Sequence, residues 1–321
     1  MFDIGHPGRL RRMVIASAVA LFVLASGGTA TAGPLPGTVE TPCGAGTLTV
    51  PVDWYVPTTT PRALIWLQHG FARSAANVAD LARHYADAGY LVFAPSIPSA
   101  DPAGCTLQNV TGNTAFLAGI ADLFDPRAAA GLGGALSAAA HAAGAPVPTI
   151  PQHWVFVGHS AGGEAVEYVA AQLLRRHHDL WPHLAGLVLL DPVASFVGDN
   201  TTRALADLDR TDLPILTVSG PPALCNNFGT GTAALQAGLH RPFVGVRLPA
   251  GDHTDAEGAS SDMLGELLCG VPQSDDVATL QALTLGWTHD FVTGDHTAQL
   301  YPNGAAAGPA AAPGAVVLTG A

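Results

Sequence analysis

Lysine is absent from this 321-residue chain: all 13 basic residues are arginine, set against 25 acidic ones, for a net charge of −12. A surface so short of cations disfavours nucleic acid and anionic lipid as partners. Charged residues are only 12% of the chain and apolar ones 48%, proportions that exclude a disordered polymer. No triplet or heptad repeat runs through the sequence, which excludes collagen and coiled coil, and no other internal repeat is visible. Mean hydropathy is +0.30, yet the apolar residues come in short runs, and only one stretch, near the N-terminus, approaches membrane length. There is no H-E-x-x-H motif and no C-x₂₋₄-C pair, so neither a metal nor another cofactor is indicated. What remains is an acidic, one-domain globular enzyme or binder with ample core, expected to be a monomer.

Residues 1–32 have the pattern of an export signal. Arg9, Arg11 and Arg12 form a positive n-region, and Val14 to Leu24 is an apolar stretch of eleven residues, too short to span a bilayer comfortably. Ala30-Thr31-Ala32 supplies an A-x-A cleavage site, so the mature chain is expected to begin at Gly33, secreted and without stable membrane insertion. An uncleaved anchor is the alternative. The Arg11-Arg12 pair leaves the export route, general or twin-arginine, open. Four cysteines follow: Cys43, Cys105, Cys225 and Cys269. An even count in an exported chain points to two disulfides, with three connectivities open. Cys43–Cys105 with Cys225–Cys269 is favoured, because each pair then lies within one half of the chain.

Short β-branched runs alternate with longer helix-like segments, the pattern of a parallel sheet flanked by helices. Strands are expected at Thr47–Val56 (an edge strand, because of Pro51), Ala63–Gln68, Leu91–Ala94, Val155–Val157, Leu184–Leu190, Leu213–Val218 and Phe243–Leu248. Helices are expected over Ala75–Ala88, ending at Gly89, over Gly162–Arg176, and over Val277–Val292. Residues 126–146 are rich in Ala and Gly and read as helical turns. The prediction is one α/β domain over 33–298, followed by a low-complexity, flexible tail over 299–321.

The sharpest motif is Gly158-His159-Ser160-Ala161-Gly162, a G-x-S-x-G pentapeptide preceded by the apolar run WVFV and followed by a helix-like segment. A strand-to-helix turn this tight holds the serine in a strained conformation, with Oγ projecting above the sheet. Gly158 and Gly162 are needed because side chains there would clash across the turn, and Gly163 lets the following helix pack close. An idle serine in a Gly-rich turn is the bland alternative.

On these residues the sequence resembles the α/β-hydrolase superfamily over nearly the whole mature domain. The resemblance implies an α/β-hydrolase fold with little or no cap, and a nucleophile, an acid and a histidine in that chain order at the ends of successive strands. Asp191, directly after LAGLVLL, is the expected acid. Many members place the acid after the next strand, but here that strand runs into SGPPALCN, with no carboxylate; Asp199 and Asp207 are the reserves. His253, in the loop PAGDHTD after FVGVRL, is the expected base, and Ser160 the nucleophile. The loop Gln68-His69-Gly70-Phe71 matches the family's His-Gly pattern, which implies that the backbone N–H groups of Phe71 and Ala161 form the oxyanion hole.

The combination GHSAGG, LLDPV and GDHTD is similar to the branch of chlorophyllases, cutinase-like polyester hydrolases and platelet-activating-factor acetylhydrolases. It implies a serine carboxylic-ester hydrolase working through an acyl-enzyme on a small or polymeric ester. A polyester hydrolase or lipase is the first alternative, and a peptidase, acyltransferase or non-catalytic binder the second. The stretch between Asp191 and the next strand is too short for a large helical cap, which favours a shallow, open site. Dehalogenase chemistry is excluded, because Ser160 stands where it needs an aspartate.

Overall fold

The computed structural model describes residues 1–2, 33–128, 130–303 and 308–321. The predicted export signal, residues 1–32, lies outside the described residues except for its first two positions. In chain order the elements are β1 (Leu35–Cys43), β2 (Gly46–Tyr55), β3 (Leu64–Gln68), α1 (Ala79–Asp87), β4 (Leu91–Pro95), α2 (Thr114–Asp122), α3 (Leu132–Ala142), β5 (Trp154–His159), α4 (Ala161–Arg176), β6 (Leu184–Leu190), α5 (Asn200–Leu208), β7 (Ile215–Ser219), α6 (Thr230–Gly238), β8 (Gly245–Arg247), α7 (Met263–Cys269), α8 (Ser274–Thr293) and β9 (Val316–Leu318).

The strands form one sheet in the order β1-β2-β4-β3-β5-β6-β7-β8-β9. From β4 across to β8 neighbours run parallel, while β1, β2 and β9 are antiparallel additions at the two edges. The central strands read as unbroken apolar runs because both faces are covered. In β3, Leu64 and Trp66 join the core packed by α2 to α6, and Ile65 and Leu67 join the core packed by α1 and α8. Trp66 meets Phe156 of β5 edge-on, with ring centroids 5.0 Å apart, on the first of these faces. All parallel strands therefore end on one rim, and their connecting loops meet there.

Two expectations need correction. Pro51 does not mark an edge: β1 pairs along the whole of β2, from Leu35↔Trp54 to Cys43↔Gly46. The proline is tolerated because its carbonyl accepts from Ser96 N–H at 2.8 Å, so its donor-less nitrogen faces the β4 side, one residue beyond the last pair of that ladder, Val52↔Pro95. The predicted flexible tail is also wrong at its end. Val316–Leu318 forms β9, antiparallel to β8, with Leu318 and Ala312 buried; β-branched Val316 and Val317 satisfy an edge that β8 would otherwise expose.

Both disulfides are present, Cys43–Cys105 and Cys225–Cys269. The first ties the end of β1 to the loop after β4; the second ties the loop after β7 to the end of α7. Among the described residues no helix is long and apolar enough to cross a membrane.

Candidate active site

Ser160 occupies the turn between β5 and α4 with φ 56° and ψ −125°. A non-glycine residue at such angles stores on the order of 1–3 kcal/mol of strain. The strain is held by three backbone bonds: Ser160 N–H to the Leu190 carbonyl at 2.9 Å, and the Ser160 carbonyl accepting from Gly163 and Val193 at 2.9 and 3.0 Å. The glycines around it are required by contact. A Cβ on Gly158 would fall on the Gly162 carbonyl oxygen, one on Gly162 would lie 2.5 Å from the Gln68 oxygen, and one on Gly163 would lie 2.8 Å from Pro192 Cβ. Gly70, on the loop after β3, faces the serine itself: a Cβ there would sit 2.8 Å from Ser160 Cβ and 3.3 Å from its Oγ.

Asp191 ends β6 with a positive φ of 42°, its N–H bonded to the Val218 carbonyl at 2.8 Å. Its carboxylate is buried. Oδ2 accepts from His253 Nδ1 at 2.6 Å, and Oδ1 accepts from Gly220 N–H at 3.1 Å. His253 opens a short helical turn after β8, in which Asp252 and Asp255 form a capping box. Ser160 and His253 line the same cavity, of about 340 Å³, together with Gly70, Phe71 and Arg73. The structure thus brings Ser160, Asp191 and His253 to one rim of the sheet; Asp199 instead precedes α5 and pairs with Arg203, and Asp207 pairs with Arg175.

Two further histidines are buried beside this cavity. His159 donates from Nε2 to the His253 carbonyl at 2.9 Å, and its ring lies 4.8 Å from the His253 ring. His69 donates from Nδ1 to the Gly70 carbonyl at 2.8 Å. The second nitrogen of each ring is buried without a partner, so protonation would bury an N–H with no acceptor. Burial accordingly lowers the His69 pKa to about 4. Burial, followed by the proximity of His253, holds His159 well below the usual histidine value. Both rings are neutral scaffolding at neutral pH.

The N–H groups expected to form the oxyanion hole fit that use. The Ala161 N–H lies in the first turn of α4, ahead of the intrahelical ladder, and no group among the described residues accepts from the Phe71 N–H. The turn that presents Phe71 continues into Ala72 with φ 56°, whose N–H is held by Ser99 Oγ at 2.8 Å.

Three features of the site escaped the sequence. Arg73 clasps Glu257 through two nitrogens and Asp262 through a third, tying the Gly70 loop to the His253 loop across more than 180 positions. Asn226 bonds the Asp191 carboxylate. The short helix α7 supplies Leu264 and Leu268 to the cavity wall, yet leaves Met263 84% and Leu267 80% exposed. Only the Asn226 contact had a readable cue, its position in the loop after β7, the strand that neighbours the one carrying Asp191. As for metals, the one cluster of suitable ligand atoms among the described residues is Cys43, Asp101 and Cys105, and its two thiols are spent in a disulfide.

A mostly parallel sheet with helices on both faces carries, in chain order, an elbow serine, an aspartate and a histidine on one rim. The fold is an α/β-hydrolase fold. Among solved structures, the chain is similar to a dienelactone hydrolase from Anabaena variabilis at 15% identity and a TM-score of 0.42, over 70% of this chain and 89% of that one. It is also similar to a carboxyl esterase from Bacillus coagulans at 17% identity and a TM-score of 0.31, over 54% and 50% of the two chains. No family model matches the chain, and a search of curated proteins returns no match. Likenesses of this size carry no argument, and both the fold and the chemistry are read from this chain's own residues.

Proposed function

We propose that this protein is an exported serine hydrolase of carboxylic esters. The observation that carries the reading is the strained Ser160, set against Gly70 on a cavity shared with His253, whose Nδ1 is bonded at 2.6 Å to a buried carboxylate. In this reading Ser160 Oγ adds to the ester carbonyl carbon as its proton passes to His253 Nε2. The Nδ1–H bond to Asp191 fixes the tautomer that leaves Nε2 free, and the carboxylate stabilises the imidazolium as it forms. The developing oxyanion is taken by the N–H groups of Phe71 and Ala161. Collapse breaks the C–O bond, and His253 returns the proton to the departing alcohol. Water, deprotonated by His253, then attacks the acyl-Ser160 carbonyl, releasing the acid and restoring the serine.

The walls favour an apolar substrate. Leu264, Leu268 and the Cys225–Cys269 bridge line the cavity, and on the same segments Leu224, Met263 and Leu267 stand exposed. Exposed apolar side chains beside a reactive serine support a lipid or polymeric ester as the second reading. Two disulfides support an oxidising compartment, and a net charge of −12 leaves little to attract an anionic surface.

Release of p-nitrophenol from short- and long-acyl esters tests the proposal. Ser160→Ala is expected to abolish turnover and labelling by a fluorophosphonate probe while leaving the circular dichroism spectrum unchanged; undiminished turnover in that variant overturns it. Leu267→Ser is expected to spare short esters and weaken hydrolysis of long or insoluble ones. Equal loss on both would remove the support for the lipid or polymer reading.

A further inference from the structure

The carboxylate of Asp191 is held from a second side by a residue to which no role has been given. Asn226 is buried in the loop after β7. Its Nδ2 lies 3.2 Å from Asp191 Oδ1 and 3.1 Å from Oδ2, and it also donates to the Pro221 carbonyl at 2.8 Å. Its Oδ1 accepts from Ala223 N–H at 2.7 Å and from Gly229 N–H at 2.9 Å. Every hydrogen-bonding position of the amide is therefore filled, and the arrangement fixes which way it points. A flipped amide would set its oxygen against a carboxylate and a carbonyl, and its nitrogen against two N–H donors.

We propose that Asn226 is a positioning residue, one whose amide nitrogen holds the Asp191 carboxylate in register with His253. The inference rests on the proposed role of Asp191 as the acid of a serine hydrolase. Without this donor the carboxylate would keep the Gly220 N–H on Oδ1 and His253 on Oδ2 but lose the bond that spans both oxygens, and it would be free to turn about its Cβ–Cγ bond. Asn226 also stands next to Cys225, so the Cys225–Cys269 bridge anchors the same loop to the wall of the cavity.

The amide does two separable jobs: its oxygen caps the loop, and its nitrogen holds Asp191. Asn226→Asp keeps acceptors for the Ala223 and Gly229 N–H groups, since aspartate serves as well as asparagine in such turns. It replaces the amide N–H donor with a titratable carboxyl, however. The new carboxyl, when ionised, repels Asp191; when protonated, it competes with His253 for the Asp191 oxygens. Asn226→Ala removes both functions. The wild type and the two variants are compared by kcat and KM on a p-nitrophenyl ester, by thermal melting, and by the proton NMR signal of the His253 Nδ1–H, assigned with His253→Gln.

Positioning predicts that both variants lose about 10- to 100-fold in kcat, with KM changed by less than about twofold. It also predicts a displaced Nδ1–H signal in both, with Asn226→Ala alone losing thermal stability through its two orphaned N–H groups. A loop cap without a catalytic consequence predicts the reverse, a wild-type kcat and an unmoved Nδ1–H signal in Asn226→Asp, and that result overturns the proposal. The NMR signal needs no turnover. It therefore reads the coupling from Asn226 through Asp191 to His253 even if Ser160→Ala shows that the hydrolase reading is wrong.

Discussion

The neutrality of His159 can be tested on stability alone. In the folded chain its Nε2 donates to the His253 carbonyl, while Nδ1 is buried with no partner. Two imidazolium rings 4.8 Å apart would repel by about 3 kcal/mol at an effective dielectric of roughly 20, so the ring beside the proposed base is kept uncharged. The folded protein then leaves His159 unprotonated at pH values where the unfolded chain, titrating near 6.5, takes up a proton. This contribution to stability is full above pH 6.5 and is lost as the pH falls toward the depressed folded value, at about 1.4 kcal/mol per pH unit. Other groups obscure it in the wild type alone. His69 has the same sign. Glu167, raised by burial and by Glu164, and Asp255, raised to about 6 mainly by burial, have the opposite sign, because each holds a proton when folded that it releases when unfolded. A difference measurement cancels all three. His159→Gln retains an Nε2 donor but no titrating group, so relative to this variant the wild type should lose about 2 kcal/mol of unfolding free energy between pH 7 and pH 5. Urea unfolding curves of the two proteins at both pH values supply the four numbers required. A gap between the proteins that does not change with pH would mean that His159 is protonated in the fold, and would refute the reasoning.

Other perturbations act on separate parts of the site. Asp191→Asn should lower kcat by about 10⁴-fold, by analogy with the loss of the histidine tautomer in serine-protease triads; esterase kinetics with near-normal kcat would move the acid elsewhere. Gly70→Ala places a methyl group 2.8 Å from Ser160 Cβ, and should cost about 100-fold in kcat by shifting the nucleophile while the melting temperature stays close to that of wild type. Removing Cys225–Cys269, which closes 44 positions, or Cys43–Cys105, which closes 62, should destabilise the protein by about 4 kcal/mol in each case. Only the Cys225–Cys269 double serine variant should also lose kcat, because only that bridge borders Asn226 and the cavity; equal kinetics in the two double variants would count against the anchoring role.

The parts of this fold that can be read from sequence are those in which one residue's local environment decides its structure. LIWLQ and LAGLVLL are strands buried on both faces, and their unbroken apolar runs say so. The elbow is legible because steric demand at Gly158, Gly162 and Gly163 leaves glycine little alternative, and the disulfide pairing followed from cysteines falling two to each half. The features that stayed hidden depend on partners distant in the chain. LPGTVETPC carries turn residues, and it becomes β1 only because β2 offers nine positions to pair with. VVL is too short to stand as a strand until β8 presents an open edge. MLGELLC has the composition of a buried helix, so nothing local announces that α7 leaves Met263 and Leu267 in solvent.

The loop after β7 makes the same point about chemistry. A search for the acid weighs only carboxylates, and by that standard SGPPALCN is empty. In the fold that loop faces Asp191 across the end of the sheet, where a second carboxylate would face the first at about 3 Å, a spacing at which the two could not both ionise. An amide suits the place better, because it can donate to the acid while accepting from its own loop. With the carboxylate at the end of β6, the end of β7 is left to supply donors, and Asn226 is the side chain there that does so, beside the backbone N–H of Gly220. The type of residue required at one strand end thus follows from what occupies its neighbour, a dependence that appears only once β6 and β7 lie side by side.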